Sequence, residues 1–261
     1  MKKYLIIGCG WLGKPLALRL LSKGDEVWAT TSSRLKMDEL TSMGVRAVFM
    51  DFMHEMSQFD ALIQTDFDSI IITVPPGSRE VLQCLDLHKR IVEIAGRLQS
   101  DHWVYCSSTS VYDKEEGMLI EKDANPSTLI GKLESLYRNS SPNVAILRFG
   151  GLIGKDRNPV VYLAKKDKFE KPMAFVNFTT IYEAIDSIEI ALEQKLSETY
   201  NVVNTDHPYR YEYYSLEAEK RGLTLPIADT TDVSQGKLIS SEFFERTTGY
   251  TFRPLASQDL G

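Results

Sequence analysis

The chain opens with four apolar residues in a row, Tyr4 to Ile7, then glycines at 8, 10 and 13, then leucines at 12, 16, 20 and 21. A short unbroken apolar run before a turn predicts a strand covered on both faces. The leucine spacing predicts a helix packed by one face. The same alternation continues. Strands are predicted at Glu26–Thr30, Val45–Met50, Ser69–Val74, His102–Cys106, Asn143–Phe149 and Thr199–Val203. Between and after them, helical periodicity spans Arg34–Met43, Arg79–Ser100, Ser127–Asn139, Ile181–Lys195, Tyr209–Arg221 and Ser241–Thr247. The polar stretch His54–Asp68 is compatible with a short helix. Strand and helix in alternation predict an α/β fold with a doubly wound parallel sheet. The boundary falls near Gly150, with residues 1–150 as a first domain and 151–261 as a small C-terminal lobe interleaved with late sheet elements.

The glycines carry the first chemistry. In Gly8-Cys9-Gly10-Trp11-Leu12-Gly13 they follow a strand and open a helix, which is the context of the Rossmann dinucleotide fingerprint. Gly8 permits the tight turn, Gly10 has no side chain to block a pyrophosphate, and Gly13 lets helix and sheet approach. The diphosphate would lie on the helix N-terminus, over Trp11 and Leu12. NAD-binding folds place an acid at the end of the second strand for the ribose 2′-OH. Here that position is occupied by Thr31, Ser32, Ser33 and Arg34. Without a carboxylate to repel it, a 2′-phosphate can accept from hydroxyls and pair with the Arg34 fork. NADP is therefore expected ahead of NAD, which stays admissible. Ser32 and Ser33 serve equally well as helix caps. Asp51, at the end of the third strand, suits either an adenine amino group or the capping of the next turn. Pro75, in the rigid Pro75-Pro76-Gly77-Ser78 loop, would pass near the second half of the cofactor.

Composition narrows the partners. The net charge of −6 over 261 residues argues against a broad nucleic-acid face, which needs a basic stripe. The lysines at 165, 166, 168 and 171 are interspersed with Asp167 and Glu170 and read as a solvated loop. Cys9, Cys84 and Cys106 are widely spaced and odd in number, which points to a reducing compartment. No run has the length of a membrane span or a signal segment, so a cytoplasmic location is expected. His54, His88, His102 and His207 lack ligand spacing, and no metal site is predicted. The apolar stripe of the 79–100 helix is broad; it packs on the sheet, with any surplus available to a second copy of the chain as a homodimer.

Beyond the fifth strand stands Ser107-Ser108-Thr109-Ser110, which reads either as an ordinary hydroxyl-rich turn or as a ligand-facing set at the carboxyl edge where α/β sheets bind ligands. Together IIGCGWLG at 6–13, the strand ending at Asp51, YCSSTSVYD at 105–113, LRFGGLIGKDRNP at 147–159, YNVVNTDHP at 200–208 and the ending at 236–254 resemble the extended short-chain dehydrogenase/reductase superfamily of nucleoside-diphosphate-sugar epimerases and dehydratases, in an atypical form. The resemblance spans nearly the whole chain. It implies a Rossmann domain, a substrate lobe and hydride transfer at nicotinamide C4. Aligned on Asp113, it puts the substrate-side hydroxyl at Ser108 and the ribose-holding lysine at Lys132. The tyrosine of the family's YxxxK pair falls on Thr128, whose hydroxyl titrates far above tyrosine's ~10 and is a poor acid–base group. Tyr112 and Tyr182 are the alternative acid–base candidates nearest the expected cleft. Lys155 and Arg157 would border the substrate lobe.

Two functions follow. One is an NADP(H)-dependent oxidoreductase or epimerase-like enzyme acting on a small polar substrate, nucleotide-linked compounds among the candidates. The other is a non-catalytic NADP(H)-binding regulator or interaction protein.

Overall fold

The computed structural model describes residues 1–54, 59–77 and 80–258. The first helix-and-strand alternation is β1 (Lys3–Ile7), α1 (Gly13–Ser22), β2 (Glu26–Thr31), α2 (Arg34–Ser42), β3 (Arg46–Phe49), α3 (Phe59–Ile63) and β4 (Ser69–Ile72). It continues through α4 (Val81–Ala95), β5 (Trp103–Ser108), β6 (Gly117–Leu119), α5 (Leu129–Ser140), β7 (Val144–Phe149) and β8 (Gly151–Ile153). The remainder is α6 (Val160–Leu163), β9 (Phe178–Thr180), α7 (Ile181–Glu193), β10 (Thr199–Val202), α8 (Arg210–Lys220), β11 (Lys237–Ile239) and α9 (Glu242–Thr248).

Seven strands form one parallel sheet in the order β10-β7-β5-β4-β1-β2-β3. The order reverses at β1, between β2 and β4, and such a switch point opens a crevice at the strands' carboxyl ends. β1 sits at the middle of this arrangement because Leu5, Ile6 and Ile7 are apolar and buried, with neighbours on both sides. Every residue of β4 is buried as well, as its β-branched run predicts. Leu5, Ile7, Ile70 and Ile72 join Cys84, Leu87 and Ile91 of α4 and Leu133 and Tyr137 of α5 in one core cluster.

The chain divides into two compact units. Residues 1–111, 125–148 and 185–199 make the first, and residues 112–124, 149–184 and 200–261 the second. The second unit has a separate core around Phe169, Phe178, Tyr213 and Tyr214 and two small parallel sheets, β6 with β11 and β8 with β9.

Several boundaries differ from the sequence reading. The helix predicted over 79–100 covers Val81–Ala95 and ends at Gly96, glycine being a poor helix former. Ser107 and Ser108 extend β5 rather than starting a hydroxyl-rich turn, and a 3₁₀ turn at Thr109–Val111 follows. The glycine-rich segment after β7 holds β8 instead of loose loop. Ser78 and Arg79, and residues 55–58 of the 54–68 stretch, lie outside the described residues.

Candidate functional site

The glycine turn is pinned on both flanks. Gly8 N donates to Thr30 Oγ1 at 3.2 Å and Cys9 N to Thr30 O at 3.0 Å, while Thr73 Oγ1 donates to Gly8 O at 2.6 Å. Gly8 has φ +94°, a conformation that favours glycine. A Cβ on Gly13 would lie 3.0 Å from Gly8 O and 3.2 Å from Ile6 Cγ2, so the helix–strand approach requires that residue. Gly10 differs, because a Cβ there would meet nothing nearer than Gly8 O at 4.0 Å. Its bareness is not demanded by packing; it leaves room for a ligand. Leu12, the N-cap of α1, provides no side-chain cap, and the first turn holds no acid, which suits an anion at that terminus. Burial pushes the Cys9 thiol up to about 12, leaving it protonated and unreactive.

At the end of β2, Thr31 Oγ1 accepts from Ser33 N at 3.3 Å. Ser33 is the N-cap of α2, accepting from Lys36 N at 3.4 Å. Ser32 and Arg34 are exposed. The Arg34 guanidinium lies 4.2 Å from the centre of the Phe49 ring, a cation–π contact that holds it over the end of β3. Asp51 Oδ1 accepts from Met53 N at 3.0 Å, so this carboxylate caps a turn. Pro75 is exposed, with its carbonyl accepting from Gly77 N.

β5 and α5 carry the expected catalytic pair of the first unit. Ser108, half-buried at the end of β5, donates from Oγ to Ser110 Oγ at 3.1 Å and accepts from Ser110 N at 3.2 Å. Lys132 is exposed one turn into α5, the helix that packs on β5 and the 3₁₀ turn after it. Thr128 is the N-cap of that helix. Its Oγ1 accepts from Gly131 N at 3.0 Å and donates to Asn125 O at 2.9 Å. The hydroxyl is thereby committed to holding α5.

The same two elements are joined by a buried cluster that sequence reading missed. Glu134 of α5 receives both Arg148 Nε at 2.9 Å and Arg148 Nη2 at 2.7 Å. Ser107 Oγ donates to the same carboxylate at 2.6 Å. All three are under 8% exposed. The available signal was Arg148 itself, a lone charge in the apolar strand VAILRF, which requires a buried partner.

In the second unit, Tyr112 is buried and its hydroxyl donates to Asn201 Oδ1 at 2.6 Å. Lys237 Nζ donates to the Tyr112 carbonyl at 2.8 Å. Tyr182, in the first turn of α7, is 49% exposed. Lys155 and Arg157 are exposed in a tight turn closed by Gly154 N and Arg157 O. Among the described residues no cluster of acids, histidines and cysteines could hold a metal ion, and no helix is long and apolar enough to cross a membrane.

Residues 3–125 match the family model for the NAD binding domain of 6-phosphogluconate dehydrogenase. The chain has a Rossmann-like NAD-binding fold. It is 29% identical to Protein YeeZ of Escherichia coli K12, over 97% of this chain and 96% of that one. Among solved structures it is similar to UDP-glucuronic acid 4-epimerase from Bacillus cereus in complex with NAD, with a TM-score of 0.76 at 19% identity, covering 99% of this chain and 94% of that one. MoeE5 in complex with UDP-glucuronic acid and NAD gives a TM-score of 0.77 at 19% identity, over 99% and 96% of the two chains. At these identities the likeness is one of fold.

Proposed function

We propose that the protein binds NADP(H) and acts as an oxidoreductase or epimerase-like enzyme of the extended short-chain dehydrogenase/reductase type, on a small polar, nucleotide-linked substrate. The observation that carries this reading is the space at Gly10, left open beside an N-terminus of α1 that no side chain caps. The bound nicotinamide would supply a hydride donor or acceptor at C4. Gly8 to Gly13 hold the diphosphate, and Thr31, Ser32 and Arg34 meet the 2′-phosphate. The Arg34 guanidinium rests over the Phe49 ring at the end of β3, which supports its assignment to the phosphate. Pro75 borders the nicotinamide side. Ser108 orients the reacting oxygen by hydrogen bonding, and Lys132 holds the ribose. Residues 1–150 constitute the cofactor domain, and 151–261 supply the substrate lobe interleaved with late sheet elements, in keeping with the UDP sugars named for similarly folded proteins. Val81 and Leu82, 54% and 75% exposed on α4, are the surplus that a second copy would cover.

The competing reading is a non-catalytic NADP(H)-binding regulator. It is favoured by Thr128, at the tyrosine position, whose hydroxyl is fully engaged in capping α5. The burial of Tyr112 against Asn201 also removes one substitute acid–base group and leaves Tyr182 as the exposed one. Stopped-flow absorbance of bound NADPH against a panel of carbonyl compounds and nucleotide sugars separates the two. The enzyme reading expects oxidation by at least one class, slowed by Lys132→Ala. Oxidation by none, with Lys132→Ala changing only cofactor affinity, establishes the regulator.

A further inference from the structure

Two further cations stand beside the glycine turn. Lys14 follows Gly13 in the first turn of α1, with its backbone N–H donating to Gly10 O at 2.9 Å. Its ammonium reaches across to α2 and lies 2.5 Å from Glu39 Oε1. Lys36 precedes Glu39 by three residues on α2, so the two side chains leave the same side of that helix. Lys36 is exposed and forms no ion pair among the described residues. The Cys9 thiol registers both lysines: burial pushes it up, and the charges of Lys14 and Lys36 oppose that push. Cys9 N donates to Thr30 O at 3.0 Å, which sets the turn against the end of β2. Both lysines thus flank the region assigned above to the 2′-phosphate, and all of these residues belong to the first unit.

The ion pair between the helices is the informative feature. Its side chains are 37% and 46% exposed, and pairs exposed to that degree contribute little to stability. Holding α1 to α2 is therefore a small part of what it does. Glu39 gives the Lys14 ammonium a carboxylate to face. A phosphate monoester carries about −1.5 to −2 near neutral pH and has three acceptor oxygens, so it competes for that ammonium on favourable terms. A dinucleotide without the 2′-phosphate brings no such competitor.

We propose that Lys14 and Lys36 are further specificity-determining residues for NADP(H), and that Glu39 limits the specificity by competing with the 2′-phosphate for Lys14. The proposal rests on the NADP(H) reading and adds to it the residues that set how strongly the two cofactors are discriminated. Lys36, unpaired, meets the phosphate directly. Lys14 divides its charge between Glu39 and the phosphate.

Isothermal titration of the full-length protein with NADPH, NADH and adenosine 2′,5′-bisphosphate tests this, the readout being the ratio of the NADH to the NADPH dissociation constant. Lys14→Gln and Lys36→Gln should each lower the ratio by about threefold, the worth of one exposed charge contact, and weaken the bisphosphate by the same factor. Lys36→Arg should keep the ratio. Glu39→Gln should raise it by about threefold, and the gain should vanish when Lys14→Gln is combined with it, because Glu39 acts through Lys14. A ratio unmoved by Lys36→Gln and Glu39→Gln, or a Glu39→Gln gain that survives whole in the double variant, overturns the proposal. If that happens while Arg34→Ala still abolishes the preference for NADPH, the cofactor reading stands without it. A wild-type protein that binds NADH as tightly as NADPH refutes both.

Discussion

The buried cluster of Ser107, Glu134 and Arg148 gives a quantitative test of how β5, β7 and α5 are held together. Arg148→Met removes two hydrogen bonds of 2.9 and 2.7 Å to Glu134 and leaves a carboxylate that is 7% exposed facing apolar neighbours. Leaving one member of such a pair buried alone costs about 3–5 kcal/mol. For a chain of this size the melting temperature should fall by about 6–20 °C. Ser107 Oγ, still donating to Glu134, offsets only part of the loss. The triple variant Ser107→Ala, Glu134→Leu, Arg148→Met replaces the whole cluster with apolar groups of comparable volume. It should recover most of the stability, because the desolvation of the charges disappears together with their attraction. Urea unfolding of the single and triple variants measures both terms. A single-variant cost below about 1 kcal/mol, as for an exposed pair, would refute the reasoning. So would a triple variant no more stable than Arg148→Met.

Other outcomes follow from the same geometry. Gly10→Ala should keep its melting temperature and lose cofactor affinity, because its Cβ meets only open space, whereas Gly13→Ala should lose stability through contacts of 3.0–3.2 Å; thermal melts paired with NADPH titrations distinguish the two. Thr128→Ala should cost about 1–2 kcal/mol in urea unfolding, the worth of an N-cap, while Thr128→Asp keeps most of it; an unchanged Thr128→Ala would deny the capping role. His88 is lowered to about 4 by burial, below its unfolded value of ~6.5, so the unfolded chain binds the extra proton. Stability should be flat above about pH 6.5 and fall progressively down to pH 4, by about 3 kcal/mol from this group. His102, shifted downward by burial too, adds to that slope, and a stability that rose on acidification across this window would contradict the assignment.

Much of the first unit was legible because its strands are covered on both faces. Leu5 to Ile7 and Ile70 to Ile72 had to be apolar throughout, and that leaves an unmistakable pattern. The glycine turn was legible for a similar reason, since Gly8 and Gly13 answer to backbone and packing demands that other residues cannot meet. The second unit was less so. Strands β6, β8, β9 and β11 are three residues each, too short for a period to show. The hydroxyls at 107 and 108 read as turn chemistry, yet the pleat sends successive side chains to opposite faces, giving Ser107 to Glu134 and leaving Ser108 at the sheet edge. Tyrosine-rich α8 spends two of its rings on the core of the second unit, where Tyr213 and Tyr214 pack with Phe178. The pairing of Glu134 with Arg148 was invisible because no local pattern links a helix residue to a strand residue across a buried interface.

The central claim is a dinucleotide site built on Gly8 to Gly13 and aimed at NADP. Trp11 lies within that turn, so tryptophan quenching on titration with NADPH and with NADH reads the site directly. NADPH is expected to bind at least about tenfold more tightly, the worth of one charge-assisted pair, with the preference abolished by Arg34→Ala. Equal or tighter binding of NADH, or a preference that survives Arg34→Ala, would contradict it.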